Sequence, residues 1–137
     1  MPHTLLEIKN ASFKAAVGAG ALVEYADAIE NAQVNITSTP YKFTPINGVV
    51  QQGAGPLTEE IVLSIGQDLT AASFYTFLRT NHGAKGKVEF FPKGGTVPKV
   101  AANVTFQAPG AIGGAGGTIG MASATLLVDG LSTITAG

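Results

Sequence analysis

Residues 57–67, LTEEIVLSIGQ, alternate so that Ile61, Leu63 and Ile65 share one face while Glu60, Val62 and Ser64 occupy the other. A period of two over this length is the mark of a half-buried strand. Residues 68–83, DLTAASFYTFLRTNHG, change the period. Ala71, Phe74, Phe77 and Leu78 fall at helical spacing, Asp68 or Thr70 can cap the start, and Asn81-His82-Gly83 can end it with Gly83 in the left-handed position. The apolar stripe of Phe74, Phe77 and Leu78 is expected to cover the sheet that carries Ile61, Leu63 and Ile65. A strand running into one short helix sets the frame for the rest.

Reading outward, strand signals flank the pair on both sides. Upstream, QVNITST (33–39) alternates with Val34 and Ile36 on one face, and Leu22–Tyr25 reads as a short strand. Ala26–Asn31 reads as a turn or a single helical turn. Thr4–Lys14 reads as an extended arm or strand before the flexible Gly18-Ala19-Gly20. Between residues 41 and 56, Pro45, Asn47-Gly48 and Gly53-Ala54-Gly55-Pro56 are turn signals, which makes this a long hairpin excursion between two strands. Downstream, Lys87–Pro92 and Lys99–Pro109 read as strands joined through Gly94-Gly95. After the loop Gly110–Gly117, Thr118–Val128 reads as the last long strand, stopped by Asp129-Gly130. The expected class is mainly β: a β-sandwich or partly closed barrel with one packed α-helix. A single domain over 1–137 is expected, with an N-terminal arm over about 1–20 and a hairpin loop over about 41–56.

The composition points to assembly. The chain has 137 residues, room for one domain. Hydrophobic residues make up 45% but charged residues only 12%, about half of the roughly 25% typical of soluble domains. Charge keeps monomers dispersed, so a surface this poor in charge suits a subunit covered by its neighbours. Lys+Arg 8 against Asp+Glu 9 gives a net charge of −1, which does not advertise nucleic-acid binding. The sequence has no cysteine, which excludes disulfides, thiol catalysis and cysteine-ligated metal. The N-terminus lacks the pattern of a secretory signal. Val100–Val128 is free of charge until its end, but Pro109, Asn103, Gln107 and the glycines argue against a membrane helix.

Chemical sites are sparse. GAIGGAGGTIG (110–120) has the wrong spacing for a dinucleotide fingerprint and leads into a strand, so it reads as an inter-strand loop. His3 and His82 lie far apart without partners at metal-ligand spacing. Glu59 and Glu60 are neighbours on a strand and point to opposite faces, so they cannot act as paired carboxylates. No serine sits in a Gly-x-Ser-x-Gly elbow, and the single arginine, Arg79, belongs to no basic–aromatic stripe. No catalytic residue, cofactor or metal is expected, and the chain is not expected to be an enzyme.

From Gln33 to Leu131 the sequence resembles the major tail (tail tube) proteins of long-tailed bacteriophages. The features that carry this are NITSTPYKFTPINGVVQQGAGP, then LTEEIVLSIGQD, the helix LTAASFYTFLRTNHG, and VEFFPKGG, VAANVTFQAP and ASATLLVDG around the glycine loop. The resemblance implies a structural subunit of the virion tail, assembled in the host cytoplasm. Six copies would form a ring and stacked rings a tube, in contact with itself and other tail proteins. DNA would pass without specific binding, and the chain would not insert into a membrane. Within that frame Tyr41, Phe43, Ile46, Val49 and Val50 are the expected inter-ring or inter-subunit loop. Thr58, Glu60 and Ser64 are the expected lumen face, and Phe74, Phe77 and Leu78 the core helix. A capsid decoration protein, a head–tail connector or a tail terminator would show a similar composition.

Overall fold

In a computed structural model, which describes residues 5–136, β6 (Leu57–Gly66) lies between β3 (Ile29–Ser38) and β9 (Met121–Val128), antiparallel to both. A second group of strands runs β2 (Val23–Glu24), β1 (Ser12–Val17), β7 (Lys85–Phe91), β8 (Lys99–Thr105), each antiparallel to the next. The two groups are one sheet, joined only where Val104 and Thr105 of β8 pair with Val128 and Leu127 of β9. Beyond that corner β10 (Thr133–Thr135) takes up the remaining edge of β8, opposite Lys99–Ala101. A sheet joined through so short a ladder folds over on itself, and its two halves bury their apolar faces against each other. The terminal strands β2 and β3 do not pair, so the result is a sandwich that stops short of a closed barrel.

Alternation decides what goes inside. Ile61, Leu63 and Ile65 of β6 face Ala122, Ala124 and Leu126 of β9 along the same side, all buried. Phe13 and Ala15 of β1, Val88 of β7, and Ala102 and Val104 of β8 supply the other layer. The helix α1 (Phe74–Thr80) lies on this core through Phe74, Tyr75 and Leu78. Phe77 is only partly buried and packs at the margin, its ring edge-on to Phe106 at 5.1 Å. On β3 the alternating set fades along the strand: Val34 packs on the core, while Ile36 is 60% exposed because the strand has run past the sandwich.

Four readings of the sequence need correction. Ser73, rather than Asp68 or Thr70, caps α1, its hydroxyl accepting from Thr76 N at 3.2 Å. Asp68 instead accepts from the backbone N and hydroxyl of Thr70 at 3.0 and 2.8 Å, a local turn that ends before the helix begins. The arm is shorter than expected, since residues 12–17 form a strand paired on both sides. Residues 1–4 of that arm lie outside the described residues. The last long strand begins at Met121 rather than Thr118, and the three-residue β10 was not foreseen. Gly83 (φ +83) does occupy the left-handed position just beyond α1, where a side chain would be strained.

The β1–β2 edge is fastened by Glu24. Its carboxylate accepts from the Ser12 hydroxyl, from Phe13 N at 3.0 Å and from Ala26 N at 3.1 Å. Partial burial pushes this carboxyl up, but the three hydrogen bonds and the nearby Lys14 outweigh it and hold the group below the usual carboxylate range. A lowered folded-state pKa stabilises the fold above the unfolded value, and that stability is lost as pH falls through the folded one. Thermal melting of wild type and Glu24→Gln should therefore differ at pH 7 and converge as the pH is lowered below the carboxylate range. A gap that stays constant down to pH 3 would remove Glu24 from the acid response.

Candidate functional site: the arm and the outer sheet face

Between β3 and β6 the chain leaves the sandwich. β4 (Tyr41–Phe43) and β5 (Gln51–Gly53) pair only with each other, from Tyr41 opposite Gly53 to Phe43 opposite Gln51. This small hairpin prolongs the β3–β6 ladder, which ends at Ser38 opposite Leu57, as an arm. Its tip is a turn closed by Gly48 N on Pro45 O at 3.0 Å, with Gly48 at φ +81 and Asn47 Oδ1 accepting from Val49 N. Close approach fixes its root: a Cβ at Gly55 would lie 1.9 Å from Thr39 O.

The side chains of this arm are the expected contact residues, and all are in solvent. Tyr41, Phe43, Val49 and Val50 are exposed, and Ile46 at the tip is fully so. Scattered exposed apolar residues are ordinary, but a cluster on a projecting element marks an interaction surface. Their exposure follows from the sequence, because turn signals isolate them from any strand that could bury them.

The second surface is the outer face of β3, β6 and β9. Thr58, Glu60 and Ser64 lie on it, opposite the buried set, with Glu60 between Asn35 of β3 and Leu127 of β9 in register. Asn31, Gln33, Ser123 and Thr125 continue the same polar face. None of these three strands contains a lysine or arginine. Lys14, Lys85, Lys87 and Lys99 all belong to the other half of the sheet. There Lys85 pairs with Asp129 at 3.2 Å, Lys99 approaches Glu89 at 3.8 Å, and Lys14 sits 5.4 Å over the Phe91 ring.

Glu59 lies on the opposite face of β6 from Glu60, toward the core. It is 7% exposed and accepts from Ser132 N at 2.6 Å and Ser132 Oγ at 2.8 Å, tying the C-terminal segment to the core side of β6. Its position at the start of a strand gave the face but not the partner, which comes 73 residues later. The glycine-rich segment is held rather than open. Gln67 Nε2 donates to Gly113 O and Met121 O at 2.9 Å, Gly113 N donates to Gln67 Oε1, and the Tyr75 hydroxyl donates to Ala111 O at 2.7 Å. His82 Nδ1 accepts from Ala108 N at 3.0 Å, a structural contact. His3 lies outside the described residues. Among the described residues no three His, Cys, Asp or Glu gather as a metal site, and no helix is long and apolar enough to cross a membrane.

The chain is similar to the anti-feeding prophage cap, a tube-terminating cap solved by cryo-EM. The TM-score is 0.59 at 16% identity, over 100% of this chain and 96% of that one. The likeness establishes a shared fold. No family model and no curated protein matches the sequence. The shared fold is the sandwich with one helix that the alternation of residues 57–67 and the helical spacing after it had implied.

Proposed function

We propose that this chain is a structural subunit of a phage-type tail tube, forming rings that stack into a conduit, rather than a catalyst. The observation that carries the reading is the β4–β5 arm, whose apolar side chains are exposed on a hairpin that projects from the sandwich. The similarity in fold to a tube-terminating cap supports it, as does the low charge of the surface. In this reading rings of six copies, as in the tail tubes the sequence resembles, are built in the host cytoplasm and carried in the virion. The sheet face of Thr58, Glu60 and Ser64 lines the channel. Electron microscopy of the concentrated protein tests it: rings or tubes support the reading, and particles that remain monomers at every concentration oppose it.

The fold similarity also favours a second reading, a terminator that closes one end of a tube. Such a protein gives discrete rings and binds preformed tubes at one end only. A decoration or connector protein would instead bind the head or its portal.

The channel assignment has its own test. A wall free of cations lets DNA pass, because each lysine on it would pair with phosphate and add a salt-dependent attraction. Glu60→Lys should leave tubes able to assemble but slow DNA delivery by roughly tenfold at low salt, with less effect as salt rises. Normal delivery at every salt concentration would place Glu60 on an outer wall or an interface.

A further inference from the structure

The arm leaves the sheet at the Ser38/Leu57 end of the β3–β6 ladder; the opposite end, at Ile29/Ile65, opens into a groove. Ten residues of strand separate the two, about 30 Å at roughly 3.3 Å per residue. The groove, about 450 Å³, runs between the β2–β3 connection and the junction of β6 with α1. Ile119 and Val23, 84% and 49% exposed, form apolar walls. Glu24, Asp27 and Asp68 supply its charge, and among the described residues no lysine or arginine lines it.

We infer that this groove receives the β4–β5 arm of a second copy of the chain, with Lys42 of the second copy set against Asp27 and Asp68. The inference rests on the tube reading and names the surface on which the arm docks. Three features select this occupant. The first is charge: Lys42 is the only charged residue between 39 and 56, so the arm brings one cation to a groove that holds only anions. Those anions are available, since Asp27 has no hydrogen bond or ion pair among the described residues. Asp68 uses Oδ1 for both bonds to Thr70 and leaves Oδ2 free among the same residues. Glu24, by contrast, is already engaged by Ser12, Phe13 and Ala26. The second is apolar chemistry, because an arm carrying Tyr41 and Phe43 in solvent meets walls of Ile119 and Val23 that are equally uncovered. The third is position. Arm and groove sit at opposite ends of the same strands, so a contact between them is head-to-tail, and such contacts build rings or filaments instead of a two-fold dimer.

A charge-exchange experiment on the full chain tests this. Lys42→Glu and Asp27→Lys are made singly and together, with melting curves confirming that each folds; Asp68→Lys replaces Asp27→Lys if the latter does not fold. Each single change should raise the protein concentration needed for stacked rings or tubes by more than about tenfold, because a like-charge pair now faces the interface. The double change restores attraction with the signs reversed, and stacking should return to near the wild-type concentration. Single variants that stack like wild type would overturn the inference while leaving the tube reading intact. So would a double variant as defective as the singles, or single variants that lose binding only to a different tail protein. A wild-type chain that never stacks would overturn the tube reading and this inference with it.

Discussion

Replacing Phe43, Ile46 and Val49 together with serine should raise the concentration required for assembly by more than about 100-fold while leaving the fold of the subunit intact. Burying one large aliphatic or aromatic side chain is worth roughly 1.5–3 kcal/mol, and a hundredfold change in affinity corresponds to about 2.7 kcal/mol. Three such side chains exceed that even when each is only partly covered. Within the subunit the same residues contribute little, since they are exposed on a hairpin that pairs only with itself. The unfolding free energy should therefore move by no more than about 0.5 kcal/mol, as for ordinary surface changes. Hydrogen exchange gives an independent view. Amides of the arm, with only three paired positions between β4 and β5, should exchange fast in the free subunit and become protected in the polymer. Equal protection in both states, or assembly unimpaired by the triple substitution, would mean that the arm is not the contact.

The separation of these two effects follows from how the sequence divides its labour. Where one face of a strand is buried, alternation is dictated by the core and can be read directly, and the inward set of Ile61, Leu63 and Ile65 was legible for that reason. The arm was legible for the opposite reason: its apolar residues are cut off by turns from any strand that could bury them. What stayed hidden depends on partners distant in sequence. Tyr75 is buried at 2% because its hydroxyl reaches Ala111 O, which helical spacing alone does not reveal. Glu59 sits inside because Ser132 satisfies it, and β10 exists only because β8 offers an edge beyond its short contact with β9. Likewise Asp27 and Asp68 belong to one groove only because β3 returns to the end of β6 where α1 begins. Local chemistry placed the elements; the folding over of the sheet at β8 and β9 placed these pairs.

The largest effect on the subunit itself is expected at Phe74. Its side chain is 1% exposed, with ring centroids 4.7 Å from Tyr25, 5.9 Å from Phe13 in an edge-on contact, and 6.1 Å from Phe77. It thus joins the helix to β1 and to the chain just after β2, on the side where the sandwich does not close. Phe74→Ala removes the ring from a site where strands on one side and a seven-residue helix on the other cannot collapse inward. The cost should be roughly 3–5 kcal/mol, transfer and cavity together. Domains of this kind have about 5–15 kcal/mol in all, so the variant would be close to unfolding at moderate temperature. Phe77→Ala should cost less, because that ring is already partly in solvent. Urea unfolding measures both, and it is best done in the triple-serine arm background, where assembly no longer adds to the apparent stability. Phe74 also lines the groove at the end of the sheet. Phe74→Ala in the native-arm chain should therefore weaken stacking as well, at temperatures where the subunit is still folded. A loss below about 1 kcal/mol would show that α1 rests on the sheet without belonging to its core. The groove it borders would then lack the rigid wall that docking requires.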